Sequence, residues 1–237
     1  MLQPVRGPAV FRRDTARLKT LRAAGYRITY GLGGLPAANQ QAGNESEAYV
    51  AHLKIPDEDR TIDDEGEIQA RLGAGGIEYQ KWTPDPPLEP GAPDDTVLAA
   101  YAGKIEEFKQ RGGYVKADVI SVTPDTPGLQ EMMAKFAQEH MHGEDEVRFI
   151  VEGHGLLHVH PEEGPILALE VEPGDLISVP AGTLHWFVLC SDQQVRAVRL
   201  FQNPEGWVPN YTESGLETRY EPVCFGPHYS PAGSATS

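Results

Sequence analysis

Residues 139–149, EHMHGEDEVRF, put two histidines, four acids and an arginine into eleven positions. His140 and His142 stand two apart, so an extended backbone points both imidazoles to the same side. Glu146 follows four residues after His142, and Arg148 shares its parity. A third histidine, His185, lies 39 residues beyond Glu146, just after the turn VPAG. Three imidazoles and one carboxylate suit a divalent first-row metal, one ion per chain. Four ligands on a six-coordinate ion leave two adjacent positions for a bidentate oxygen ligand or dioxygen. Structural zinc prefers a closed tetrahedron with thiolates, and no cysteine is near the first two histidines. With a single carboxylate the site keeps a formal charge near +1, which favours an anionic ligand.

An isolated HxH is weak evidence of a site, as HVH at 158–160 illustrates. No carboxylate follows it at a matching interval, so His158 and His160 read as surface or core histidines. Glu144 and Asp145 have no ligand spacing of their own and read as solvated loop acids. The full pattern H-x-H-x3-E, followed by P-G-D-x6-G-x2-H, is far more specific. Its proline, glycine and aspartate at 173–175 set a turn, and Gly182 allows a tight approach before His185.

These residues need a scaffold that returns the chain to one place. From residue 146 onward the sequence breaks into EVRFIV, GLLHVH, ILALEV, DLISVP, HWFVLC and VRAVRLF, separated by EGHG, PEEGP, EPG, PAG and SDQQ. Short strands at this spacing predict an antiparallel sandwich or barrel. In a meander, 39 residues are three or four strands, enough to regain the same barrel mouth. Upstream, AYVAHLKI and IEYQKWTP read as strands, with DDEGEIQARLGAGG between them as a short helix. DDTVLAAYAGKIEEFKQRGG is the clearest helix, VKADVISV a strand, and TPGLQEMMAKFAQEH a helix capped by Thr126 with Pro127 at its first position. The expected fold is mainly β with flanking α-helices, a single domain over 48–220. Residues 1–47 form an N-terminal extension and 221–237 an irregular tail.

Composition narrows the function classes. The net charge of −15 over 237 residues argues against nucleic acid and anionic membrane surfaces as partners. No run approaches the roughly 20 apolar residues of a membrane span. Residues 1–30 hold seven Lys/Arg and one Asp. That stretch has no apolar signal core and reads as a poorly ordered extension, a mitochondrial transit peptide being the other reading. A cytoplasmic monomer is expected. Cys190 and Cys224 have no CxxC spacing, fit a reducing compartment, and read as structural or incidental.

The two-part motif is that of the cupins, whose double-stranded β-helix, or jelly roll, supplies such a barrel. KFAQEHMHGEDEVRFIVEGHG, GDLISVPAGTLHWF and VRLFQNPEGWV resemble, more narrowly, the acireductone dioxygenases of methionine salvage, from about residue 64 to 216. The resemblance implies metal ligands at His140, His142, Glu146 and His185. It implies pocket residues at Phe136, Phe187 and Trp207, with Arg148 and Arg199 as catalytic arginines. The implied metal is Fe(II) or Ni(II), and the substrates are O2 and 1,2-dihydroxy-3-keto-5-methylthiopentene. Iron gives 2-keto-4-methylthiobutyrate and formate; nickel gives methylthiopropionate, formate and carbon monoxide. Arg148, on the strand face of Glu146, can pair with substrate oxygens, or simply balance Glu144 and Asp145 at the surface. Arg199 shares parity with Val195, Ala197 and Phe201, so it lies either in the pocket or in a structural ion pair. Another metal cupin oxygenase, or a cupin that binds a small ligand without catalysis, are the alternative readings.

Overall fold

The computed structural model describes residues 52–220 and Cys224. The N-terminal extension, and the tail apart from Cys224, lie outside the described residues. The chain runs through β1 (His52–Ile55), β2 (Arg60–Ile62), α1 (Glu65–Ala74), β3 (Glu78–Lys81), α2 (Asp94–Ala100), α3 (Ala102–Gly112), β4 (Lys116–Val122) and α4 (Leu129–Phe136). The jelly roll follows as β5 (His140–Met141), β6 (Glu146–Gly153), β7 (Gly155–His160), β8 (Leu167–Val171), β9 (Asp175–Val179), β10 (Leu184–Leu189), β11 (Val195–Phe201) and β12 (Asn210–Tyr211). All pairings are antiparallel. One sheet has the order β12-β5-β10-β7-β8-β1-β2, the other β3-β9-β6-β11-β4.

Period-two alternation decides what lies where. On β6, Val147 and Phe149 face outward onto Val97, Tyr101, Ile105 and Phe108 of the helical layer, together with Val198 and Leu200 of β11. The opposite parity, with Ile150 and Ala197, meets Leu157, Val159 and Leu169 of the other sheet in the central core. Glu146, Arg148 and Arg199 belong to this inner parity. The five-stranded sheet is therefore covered on both faces, and its polar inner residues must have a reason to be there.

Two local expectations shift. The helix expected over 94–113 breaks at Tyr101, whose backbone leaves helical geometry where its ring packs against Trp82 and Phe149. The helix expected to be capped by Thr126 starts later, from Gly128 in the left-handed region. The Thr126 hydroxyl instead accepts from the Thr123 amide at 2.9 Å, closing the preceding turn. By contrast, α1 is capped by Asp64, which accepts the Glu67 amide at 2.8 Å.

The reading of the cysteines is corrected. Cys190, at the end of β10, and Cys224 form a disulfide across 34 positions. Both are buried against Leu156 and Ala168, on the outer face of the seven-stranded sheet. Nearby, Tyr220 packs its ring on Trp186 and donates its hydroxyl to Asp57. A loop of this length is stabilised by about 2–4 kcal/mol when cross-linked. Reductant is therefore expected to lower Tm on the order of 10 °C; equal melting curves with and without it would show the cross-link to be without effect.

Candidate metal centre

β5 is only two residues long, yet it places His140 directly opposite His185 of β10. The chain then leaves the sheet at His142 and re-enters the facing sheet at Glu146, the first residue of β6. The imidazoles thus come from the seven-stranded sheet and the chain leaving it, and the carboxylate from the facing sheet. One ring nitrogen from each of His140, His142 and His185 lies within 4.8 Å of the other two. Glu146 Oε2 is 2.9 Å from His142 Nε2 and 3.4 Å from His185 Nε2. All four residues are buried.

Each imidazole uses its Nδ1 elsewhere. His140 Nδ1–H donates to the Gln138 carbonyl at 2.7 Å, that of His185 to Thr183 at 2.9 Å, and that of His142 to Val208 at 3.1 Å. These bonds fix the tautomer and leave three Nε2 lone pairs directed at one point. Burial and the adjacent His185 push the pKa of His140 down to about 4, so it is a neutral donor at pH 7. For His142, burial is outweighed by Glu146, and its pKa rises. Burial also opposes ionisation of Glu146, but Arg148 and the two nearer histidines overcome it and hold the carboxyl well below its usual range. Glu146 Oε2 and His185 Nε2 are buried without a hydrogen bond. A cation between them satisfies both, and the neutral-imidazole and carboxylate donors match a divalent metal. His140, His142 and His185 form a group that could hold a metal ion, with the Glu146 carboxylate beside it.

Gly182 sits at φ +80°, a conformation that favours glycine, and a Cβ there would meet nothing within 4 Å. Backbone conformation, not close approach, explains the residue. Its amide donates to the His142 carbonyl at 2.9 Å, tying the turn before His185 to the HxH segment.

Arg148 is not balancing surface acids. Its Nε donates to Glu146 Oε1, leaving Oε2 for the histidines. Arg199 of β11 stands directly opposite Arg148 in register, an arrangement of like charges that costs stability unless each is neutralised. Asp118 of β4 does this for Arg199 through a two-pronged pair at 2.8 and 2.9 Å. Arg199 is therefore in an ion pair on the inner face. The Trp207 ring lies 5.1 Å from the Arg148 guanidinium and 5.8 Å from that of Arg199, and 6.0 Å from the ring of His142. Phe187 lies 5.9 Å from Arg148. Phe187 and Phe136 line an apolar cavity of about 250 Å³ with Met133, Ala137 and Leu189. Trp207 is not among that lining.

The reading of Glu144 and Asp145 as solvated acids is corrected. Glu144 accepts the amides of Gln202 and Asn203 at 3.1 and 2.8 Å. Asp145 accepts the Ala181 amide at 2.9 Å and the Tyr114 hydroxyl at 3.2 Å, while its carbonyl accepts from the Trp207 indole at 3.1 Å. These donors sit just past strand ends, where no ladder supplies partners, so the acids hold the loops around the site. His158 stacks on Trp186 at 4.6 Å on the outer face, its pKa lowered to about 3 by burial, and takes no part in the site.

Glu139 was not singled out in the sequence. It faces away from His140 and is buried, accepting from Thr212 Oγ1, Ser214 Oγ and His160 Nδ1 at 2.6, 2.7 and 2.7 Å. Burial opposes its ionisation, but these three bonds prevail and lower its pKa. They hold residues 208–214 against β5, where Val208 supports His142 and Tyr211 pairs with His140. No periodic signal marks such a contact, because its partners are 21 to 75 residues away. Thr212→Val is expected to cost about 1–2 kcal/mol and to speed metal loss to a chelator severalfold, with Thr212→Ser near wild type. An unchanged chelation rate in Thr212→Val would reject the link.

The comparisons agree with this geometry. The ARD/ARD' family profile matches residues 60–209. An acireductone dioxygenase of Pseudomonas aeruginosa is 46% identical over 154 residues, 65% of this chain and 84% of that protein. One from Methylococcus capsulatus is 43% identical over 153 residues, covering 65% and 82%. Among solved structures, the acireductone dioxygenase from Bacillus anthracis with a cadmium ion in its active centre is 38% identical, with a TM-score of 0.65 over 69% of this chain and 99% of that one. By its sequence and its fold, this chain belongs to the ARD/ARD' family.

Proposed function

We propose that the protein is an acireductone dioxygenase that uses Fe(II) or Ni(II) to cleave 1,2-dihydroxy-3-keto-5-methylthiopentene with O2 in methionine salvage. The observation that carries the reading is the convergence of His140, His142, His185 and Glu146 on one point, with Arg148 bonded to the carboxylate from behind. The bound metal supplies Lewis acidity toward the enediol oxygens. The protein supplies everything that orients them. Backbone carbonyls hold the Nδ1 side of all three imidazoles and leave Nε2 to face a metal. Arg148 and Arg199 stand opposite each other on the inner face, each paired with a carboxylate, and their remaining N–H groups can donate to the oxygens of an acidic enediol. Trp207 spans both guanidinium groups and shields them from water. The apolar cavity beside Phe136 and Phe187 suits the methylthioethyl tail.

Oxygen uptake on acireductone, with simultaneous identification of products, tests the proposal. Stoichiometric consumption of O2 with release of formate is expected. No uptake with either metal loaded would move the protein to the class of non-catalytic cupins.

Arg148 gives a sharper test of the substrate-orienting role. Arg148→Lys is expected to retain metal but lose kcat/KM by about 2 kcal/mol, near thirtyfold, because a point charge cannot replace a planar fork. Steady-state kinetics beside metal analysis decide it. An unchanged kcat/KM would limit Arg148 to its pairing with Glu146.

A further inference from the structure

Gly155 opens β7 and lies opposite Leu189 in register, diagonal to Phe187 on the same inner face. A Cβ built there would fall 1.9 Å from Phe187 Cζ, 2.5 Å from Cε2 and 2.8 Å from Cε1. No other glycine among the described residues is overlaid so closely by a side chain. The backbone does not require glycine here, since Gly155 is absent from the positive-φ residues. Only the ring requires it.

Glycine under a diagonal aromatic ring is a known way to complete a sheet surface, and that device alone would explain the contact. What the ring does on its other side extends the argument. Phe187 is partly buried against the central core and, with Met133 of α4, forms a wall of the apolar cavity. Leu157 stands across from it on β7 and Arg148 beside it. The cavity is open space beside the ring. A methyl group at position 155 would force the ring edge back by about 1.5 Å to reach ordinary contact, and the space it can enter is the cavity.

We propose that Gly155 is a specificity-determining residue: by letting Phe187 lie flat on the sheet, it sets the length of unbranched apolar tail the cavity accepts. This rests on the reading of the cavity as the seat of the substrate's tail. Gly155 touches no reacting atom and acts through Phe187. The ligand class is an anionic head at the metal side carrying a linear thioether or alkyl chain. A side chain at 155 shortens the chain that fits; a smaller residue at 187 lengthens it.

The experiment compares wild type, Gly155→Ala, Phe187→Leu and the double variant on acireductones bearing methyl, methylthioethyl or the longer n-hexyl tails. Gly155→Ala is expected to lose tenfold or more in kcat/KM for the methylthioethyl tail and about twofold or less for the methyl one. The double variant is expected to regain the methylthioethyl tail to the level of Phe187→Leu alone. Equal losses on both tails, or no recovery in the double variant, would overturn the proposal. A second readout needs no turnover: titration with hexanoate and acetate, followed at the 13C-labelled methyl of Met133. Hexanoate is expected to shift that resonance in wild type and not in Gly155→Ala, and acetate in neither. Equal hexanoate shifts in the two proteins, or none in wild type, would overturn it even if acireductone proves not to be the substrate. Should Gly155→Ala not fold, Phe187→Leu decides, since acceptance of a longer tail is expected and an unchanged preference refutes the idea.

Discussion

Glu146→Gln is expected to abolish turnover and to leave the purified protein with little or no metal, while the β-sheet signal in circular dichroism persists. The amide keeps the shape of the carboxylate but not its charge, and two functions fail together. The buried Oε2 faces His142 and His185 at 2.9 and 3.4 Å, so its charge is the sole anionic donor among the four candidate ligands. Support residues around metal sites typically cost 10–100-fold in affinity when removed, and a direct ligand is expected to cost more. The second function is neutralisation of Arg148, which otherwise stands against Arg199 across the sheet without a counter-charge. His185→Ala separates the two. It removes a ligand and leaves the Glu146–Arg148 pair in place, so metal and turnover are expected to fall with a smaller loss of Tm than in Glu146→Gln. Metal analysis, oxygen uptake and thermal melts of both variants form the test. Full metal occupancy and activity in either would sink the assignment of the ligands.

Exchanging the metal is expected to change the products without changing the protein. Stripped and reloaded with Fe(II), the chain is expected to yield 2-keto-4-methylthiobutyrate and formate; with Ni(II), methylthiopropionate, formate and carbon monoxide. Nothing in the donor set chooses between the two ions. Three neutral imidazoles and a carboxylate suit either, and the usual affinity order places nickel above ferrous iron. The pocket residues are identical in both forms, so any difference in outcome belongs to the ion supplied. Product analysis after each reconstitution, beside a metal-free control, reads this directly. Identical products from both forms would defeat the dual chemistry and spare the dioxygenase. Activity in the metal-free control would defeat the metal requirement itself.

The strands from 146 to 201 were legible in the chain because a half-buried strand enforces alternation and the turns between them carry Gly and Pro. The His140–His142 pair was legible from its two-residue spacing, whereas Glu146 reaches it from the facing sheet after a bend at 143–144, a route the spacing alone does not show. His185 needed the second half of the motif, because only the fold makes it the neighbour of His140. Contacts that close around the site left no such trace. Glu144 and Asp145 look like solvated acids, because their partners are amides and hydroxyls of distant loops, which any residue type can supply. Cys190 and Cys224 are too far apart in sequence to suggest pairing, and only the folded sheet brings them together, against Leu156 and Ala168. The break at Tyr101 is likewise a packing decision, since the helical period continues through it in the sequence.

The carbonyls that hold the imidazoles bear on how the site tolerates genetic change. A side-chain support can be deleted by one substitution; a main-chain carbonyl cannot. His140 and His185 each lean on the carbonyl two residues before them, so they carry their supports wherever their strands go. His142 leans on Val208, 66 residues downstream, in a segment with its own constraints. The three ligands are therefore unequal under mutation. Two are self-sufficient, and variation anywhere along the path that brings Val208 to the site is felt first at His142.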